Sequence, residues 1–84
     1  MQVVYSAHAR EMLAERNIES DWVMRAVENP DAVEDDPFKP GRKRAFLKIP
    51  EKENRILRVV YIIDGNDVRI VTVFFDRGRA KQSK

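Results

Sequence analysis

Apolar positions recur along the chain in two different periods, and the switch from one to the other falls near the middle. Gln2 to Tyr5 reads as a short strand, and Ser6 behind it offers a side-chain oxygen to the free amides of a helix over residues 7–16. Within that segment Ala9, Met12 and Leu13, with the stem of Arg16, recur at three and four residues and form one apolar stripe. Asn17 stops the helix, because asparagine tolerates the left-handed conformation found after a helix end. A second helix starts at Glu19 or Ser20 and carries Trp22, Val23, Ala26 and Val27 on one side. It ends at Asn29-Pro30, since the residue before proline avoids helical angles. Residues 31–41, with Pro37, Pro40 and the run Glu34-Asp35-Asp36, predict an irregular connector containing an extended piece at Ala32 to Glu34.

Beyond the connector the period drops to two. Strands are predicted at Arg42 to Ile49, Arg55 to Ile63 and Val68 to Phe75, and the short loops between them make an antiparallel meander. Placing Ile49 opposite Arg55 and Ile63 opposite Val68 sorts the side chains, because alternate residues point to opposite faces. One face collects Lys43, Ala45, Leu47, Ile49, Leu57, Val59, Tyr61, Ile63, Val68, Ile70, Thr72 and Phe74, and it is the natural seat for the helices. The other collects Arg42, Arg44, Phe46, Lys48, Ile56, Arg58, Val60, Ile62, Arg69, Val71, Val73 and Phe75. The predicted fold is therefore α+β: a short N-terminal strand and two α-helices packed on one face of a three- to four-stranded antiparallel sheet. Residues 1–76 make the domain, and residues 77–84 a flexible basic tail.

Charge changes this picture more than length does. Residues 1–37 carry 3 basic and 9 acidic side chains, net −6, whereas residues 38–84 carry 13 basic and 5 acidic, net +8. The total of +2 hides a basic half that coincides with the sheet, and a concentrated positive field favours a polyanionic partner. On the second face five cations alternate with Phe46 and Phe75, a combination suited to gripping phosphates and stacking splayed bases of single-stranded RNA. The competing reading is an ordinary half-exposed sheet with arginine stems over apolar residues, or a dimer seam. With 84 residues and no cysteine, the chain must rely on packing, without disulfides or thiolate metal sites. No apolar stretch is long enough for a signal peptide or a membrane span, so a cytoplasmic protein with no membrane partner is the default expectation.

Two helices carrying His8-Ala9-Arg10, Ala14-Glu15-Arg16-Asn17-Ile18 and Val27-Glu28-Asn29-Pro30, then a meander with Leu57-Arg58-Val59-Val60-Tyr61 and Val68-Arg69-Ile70-Val71-Thr72-Val73, resemble a known pattern. It is that of a bacterial family, domain of unknown function 4258, related to the RelE and BrnT ribonuclease toxins, and the likeness covers roughly residues 5–75. The resemblance implies a compact RelE-like fold, metal-independent cleavage of mRNA (often ribosome-bound), and silencing by an antitoxin protein, all without a cofactor. It also implies that Arg58 and Arg69 contact phosphate. The BrnT-like pattern continues past the last strand with further arginines where this chain has Phe74-Phe75, and the C-terminal helix of RelE-like toxins is missing or reduced to residues 76–84.

Cleavage of RNA needs a base for the ribose 2′-hydroxyl, cations for the pentavalent phosphate and a proton for the leaving oxygen. His8, the only histidine, is the candidate acid or base, and Arg58 and Arg69 complete the candidate catalytic set. Its bland alternative is a structural hydrogen bond to a neighbouring group. Arg42, Arg44, Phe46, Lys48 and Phe75 are the candidate RNA-binding residues. Arg16 is expected to pin the connector by pairing with Glu34, Asp35 or Asp36. Those three carboxylates are consecutive and diverge, so they do not compose a metal site. The leading function is a toxin-like endoribonuclease; the alternatives are a non-catalytic RNA- or protein-binding domain and a self-associating module, with monomer and homodimer both open.

Overall fold

The computed structural model describes residues 2–82, with side chains through Arg79. Strand β1 (Gln2–Tyr5) leads into helix α1 (Ala7–Arg16) and helix α2 (Ser20–Glu28). Strands β2 (Ala32–Asp35), β3 (Arg42–Ile49), β4 (Arg55–Asp64) and β5 (Asp67–Phe75) follow, and a short helix α3 (Arg77–Gln82) closes the described chain. The helix ends follow local chemistry. Ser6 Oγ accepts the Ala9 N–H at 3.0 Å and donates to the Val71 carbonyl at 2.9 Å, so one hydroxyl caps α1 and ties it to β5. Asn17 takes the left-handed conformation (φ 54°), letting its N–H reach the Leu13 carbonyl. Arg25, in the last turn of α2, bridges Asp21 and Glu51 and fastens the helix to the 3-10 turn at Pro50–Lys52.

The sheet has five strands in the order β1-β5-β4-β3-β2. The meander is antiparallel with Ile49 opposite Arg55 and Ile63 opposite Val68, as the loop lengths require. Two edge strands enlarge it beyond the expected three or four. Residues 32–35 of the connector pair antiparallel with β3, and β1 pairs parallel with β5, making the sheet mixed. The segment expected as a mobile basic tail is helical from Arg77 to Gln82, and its last two residues lie outside the described ones.

One departure reorders a face. Val60 pairs with Thr72 but its neighbour Tyr61 pairs with Ile70, so Val71 is an extra residue bulged out of β5. From Thr72 onward every side chain changes side relative to uniform alternation. Val73 and Phe75, expected on the basic face, turn toward the helices; Thr72 and Phe74, expected in the core, turn away. The gain is visible in the packing. Val73 is fully buried, and the Phe75 ring lies 6.5 Å from that of Trp22 at a tilt of 58°.

Between the sheet and the helices α1 and α2 lies one core: Ala9, Ile18, Trp22, Val23 and Ala26 against Ala45, Ile49, Leu57, Val59, Tyr61, Val68, Ile70 and Val73. Burying such side chains supplies about 1.5–3 kcal/mol each, which a chain without disulfides depends on. Phe46, Ile56 and Val60 are also buried but sit apart from that core, on the opposite face. No described helix is long and apolar enough to cross a membrane.

Candidate nucleic-acid interface

The second face presents Arg42, Arg44, Phe46 and Lys48 from β3, Ile56, Arg58, Val60 and Ile62 from β4, and Arg69, Thr72 and Phe74 from β5. Helix α3 packs toward this face, against β4. Arg58 occupies its centre. Its guanidinium lies 5.3 Å from the Phe46 ring centroid and 5.0 Å from that of Phe74, and it donates to Asp76 Oδ2 at 2.5 Å. The neighbouring Arg79 stacks on Phe46 at 3.8 Å and donates to Glu34 Oε2 at 2.7 Å. Phe46 is only 2% exposed between these groups, so it is a buried plate under two guanidiniums and no open stacking platform. Arg58 Nε is buried with no hydrogen-bond partner among the described residues.

Carboxylates neutralise much of the predicted cation row. Arg44 lies 3.7 Å from Asp36, Lys43 is 2.6 Å from Asp35 on the helix side of β3, and Arg69 is 3.2 Å from Asp64. The connector carboxylates are therefore taken by Arg79, Lys43 and Arg44, and the expected pairing of Arg16 with them does not form. Asp36 is held below the usual carboxylate range, first by the Phe38 backbone N–H and further by those of Lys39 and the guanidiniums of Arg44 and Arg42, although desolvation opposes the shift. For Asp76, burial pushes the carboxyl up, but the Arg79 backbone N–H and the Arg58 and Arg79 guanidiniums outweigh it and hold the group low. The Arg42 guanidinium and the Lys48 ammonium form no ion pair within 4 Å among the described residues, although Arg42 acts on Asp36 at longer range and Asp31 Oδ2 accepts the Lys48 backbone N–H at 2.9 Å. They are cations of this face without a direct ion pair among the described residues.

The three candidate catalytic residues are not gathered. His8 is exposed and its Nε2 lies 3.1 Å from Thr72 Oγ1. Arg58 faces Phe74 across the strand pair, whereas Arg69 faces Ile62. Four residues of β4 separate these pairs, about 13 Å at the usual strand rise. Each arginine, moreover, has its own carboxylate.

Phe75, assigned to RNA stacking by uniform alternation, is removed from the face by the Val71 bulge, and Phe74 takes its place. Of the apolar residues counted toward a dimer seam, Phe46, Ile56 and Val60 are buried within one chain, while Ile62, and Phe74 on the same face, stay partly exposed.

A feature the sequence did not single out lies at the C-terminal end of β5. Met12, Arg16, Arg55, Phe74, Phe75 and Arg77 line a cleft of about 240 Å³. The signal available beforehand was only that Arg77 follows the last strand and Arg55 opens the middle one; bringing Arg16 beside them requires the tertiary fold.

Neither the curated proteins nor the solved structures contain a match to the chain. The model of the family described as domain of unknown function (DUF4258) matches residues 5–75, which run from the end of β1 through the last residue of β5 and so include both the main core and the bulged face. With most of its length matched, the chain belongs to that family of domains of unknown function (DUF4258).

Proposed function

We propose that this domain binds single-stranded RNA on its open sheet face without cleaving it. One observation carries the reading: among the described residues, the Arg42 and Lys48 side chains on this face form no ion pair within 4 Å, and the ion pair of Arg69 on the same face is largely exposed. An exposed pair of that kind contributes about 0–1 kcal/mol and yields readily to a phosphate. Arg58, which a nuclease would need for the transition state, is engaged by Asp76 and two aromatic rings instead.

Fluorescence anisotropy of a labelled 12-nucleotide RNA across a salt series tests this. Affinity should fall with salt, and Arg42→Ala and Lys48→Ala should each flatten the log–log slope by about 0.7, the value per neutralised phosphate on a single strand. Salt-independent binding, or slopes unmoved by both substitutions, would sink the reading.

A second reading, a RelE/BrnT-like endoribonuclease held by an antitoxin, has one observation in its favour. A short helix, Arg77–Gln82, follows the last strand, where such toxins carry their C-terminal helix, so that element is reduced here and not missing. It predicts new RNA ends in metal-free buffer that vanish in His8→Ala. The binding reading predicts intact RNA with both proteins, so metal-independent cleavage lost in that variant would replace it.

A further inference from the structure

We propose that the cleft at the C-terminal end of β5 is a binding site for a nucleotide phosphomonoester, with Arg16, Arg55 and Arg77 holding the phosphate and the phenylalanine wall receiving the nucleoside. The proposal does not rest on RNA binding by the open face, with which the cleft shares only Phe74.

The three arginines arrive from three elements: Arg16 from the last turn of α1, Arg55 from the first position of β4 and Arg77 from the first position of α3. None has a carboxylate within 4 Å among the described residues, in a chain where Arg25, Arg44, Arg58, Arg69 and Arg79 all do. Arg16 also complements the negative end of the α1 dipole, but that role is local and accounts for neither of the other two. Three like charges around one cavity repel each other, and a concave, partly apolar wall focuses their field on whatever occupies it. An anion relieves that repulsion. Guanidinium forks match the oxygens of phosphate in paired hydrogen bonds, which distinguishes this site from one built of lysines.

The apolar lining narrows the class further. Met12, Phe74 and Phe75 share the wall with the cations, and the Arg55 guanidinium lies 5.8 Å from the Phe75 centroid. Phe75 is braced from behind by Trp22, which keeps its ring in place. A flat ring joined to a phosphate suits a cleft that offers both surfaces, and about 240 Å³ leaves room for one such unit rather than several. A free nucleoside monophosphate and the 5′-phosphorylated end of an RNA present the same chemistry.

The experiment compares two 3′-fluorescein trinucleotides, one with a 5′-phosphate and one with a 5′-hydroxyl, by anisotropy at constant salt. The full chain should bind the phosphorylated form at least tenfold more tightly. Arg55→Ala/Arg77→Ala should reduce that preference below twofold, whereas Lys39→Ala, at an exposed loop position outside both the cleft and the open face, should keep it. Urea unfolding of the double variant checks that it folds, and Arg77→Glu, a single exposed substitution, provides an independent second variant expected to abolish the preference. Competition by adenosine monophosphate identifies a free nucleotide as a ligand, and competition by phosphorylated RNA alone identifies an RNA end; both support the site. Equal binding of the two probes, a preference that survives in the folded variants, or displacement by a hexaglutamate peptide as effective as by the phosphorylated ligands would overturn it. Failure of open-face RNA binding looks different: the 5′-hydroxyl probe shows no salt-dependent binding while the phosphate preference persists.

Discussion

If Arg58 is a structural strut, removing its charge should cost stability in a way that depends on Asp76. Consider the cycle of Arg58→Met, Asp76→Asn and the double variant. Methionine keeps an unbranched stem between Phe46 and Phe74 and deletes the guanidinium. Asp76, whose side chain is 12% exposed, then keeps the Arg79 backbone N–H at 2.9 Å and the longer-range attraction of the Arg79 guanidinium. Breaking a fully buried pair costs about 3–5 kcal/mol; the partial exposure of both partners lowers the expectation to about 2 kcal/mol. Release of the buried, unpartnered Arg58 Nε offsets part of the loss, by about 1 kcal/mol. The net change for Arg58→Met is then about 1–2 kcal/mol, and the coupling between the two positions is of the same size. An 84-residue chain has about 4–13 kcal/mol in total, so the effect is measurable and the protein still folds. Urea unfolding monitored through Trp22, the sole tryptophan and 4% exposed in the core, gives all four corners of the cycle. Coupling below about 0.5 kcal/mol, within the scatter expected of independent sites, would refute the strut and return Arg58 to the pool of groups available to a ligand.

Phe46→Ala should cost about 3 kcal/mol as a large-to-small change at a buried site, against less than about 0.5 kcal/mol for Phe38→Ala at an 82% exposed loop position; thermal melts of the two variants make the comparison. Ser6→Ala removes both the α1 cap and the bond to the Val71 carbonyl and should lose about 1–2 kcal/mol in urea unfolding, with Ser6→Thr restoring most of it. Asp76 is held below its usual pKa when folded, so its stabilisation is fully present above the unfolded value of about 3.9 and disappears as pH falls through the lower folded value. Urea midpoints of the native chain and Asp76→Asn should therefore stay apart above about pH 5 and converge in stronger acid. Deleting Val71 should remove the bulge while Thr72 stays opposite Val60 and Val73 and Phe75 stay in the core, so a cooperative urea transition is the expected result, with a midpoint lowered by the disturbed Ser6–Val71 bond; loss of cooperativity would show that the bulge itself is required.

These predictions cluster where sequence and structure part company, and the reason is physical. Helix α1 was legible chiefly from its ends, Ser6 and Asn17, since Ala9 is its one buried residue; α2 was legible from the stripe of Trp22, Val23 and Ala26 that Pro30 closes, and the β3–β4–β5 registers were legible because short loops fix them. The bulge was not, since Val71-Thr72-Val73-Phe74-Phe75 offers a β-former at every position and alternation therefore carries no phase. Contacts across the fold distinguish the two rings: Phe75 meets Trp22 in the core, and Phe74 meets Arg58 on the other face. The parallel pairing of β1 with β5 is a long-range choice invisible in either segment alone. For the candidate site, the sequence told how much positive charge the second half carries but not how much of it is already matched.

That matching bears directly on function. A run such as Glu34-Asp35-Asp36 beside a basic sheet reads in one dimension as an acidic half facing a basic half. In the fold, β2 lies along β3, and each of the three carboxylates meets a cation: Arg79, Lys43 and Arg44. On the open face Glu34 and Asp36 offset Arg79 and Arg44, and Asp76 offsets Arg58 at the centre, so among the described residues the cations without an ion pair include Arg42 and Lys48, toward the two ends of β3, and Arg16, Arg55 and Arg77 around the cleft. A ligand that spans a strand's worth of phosphates suits the first, and one that presents a single phosphate beside a flat ring suits the second. Because exposed cations with no carboxylate partner contribute little to stability, substitutions at both places should separate binding from folding, which Arg58 and Phe46 cannot do.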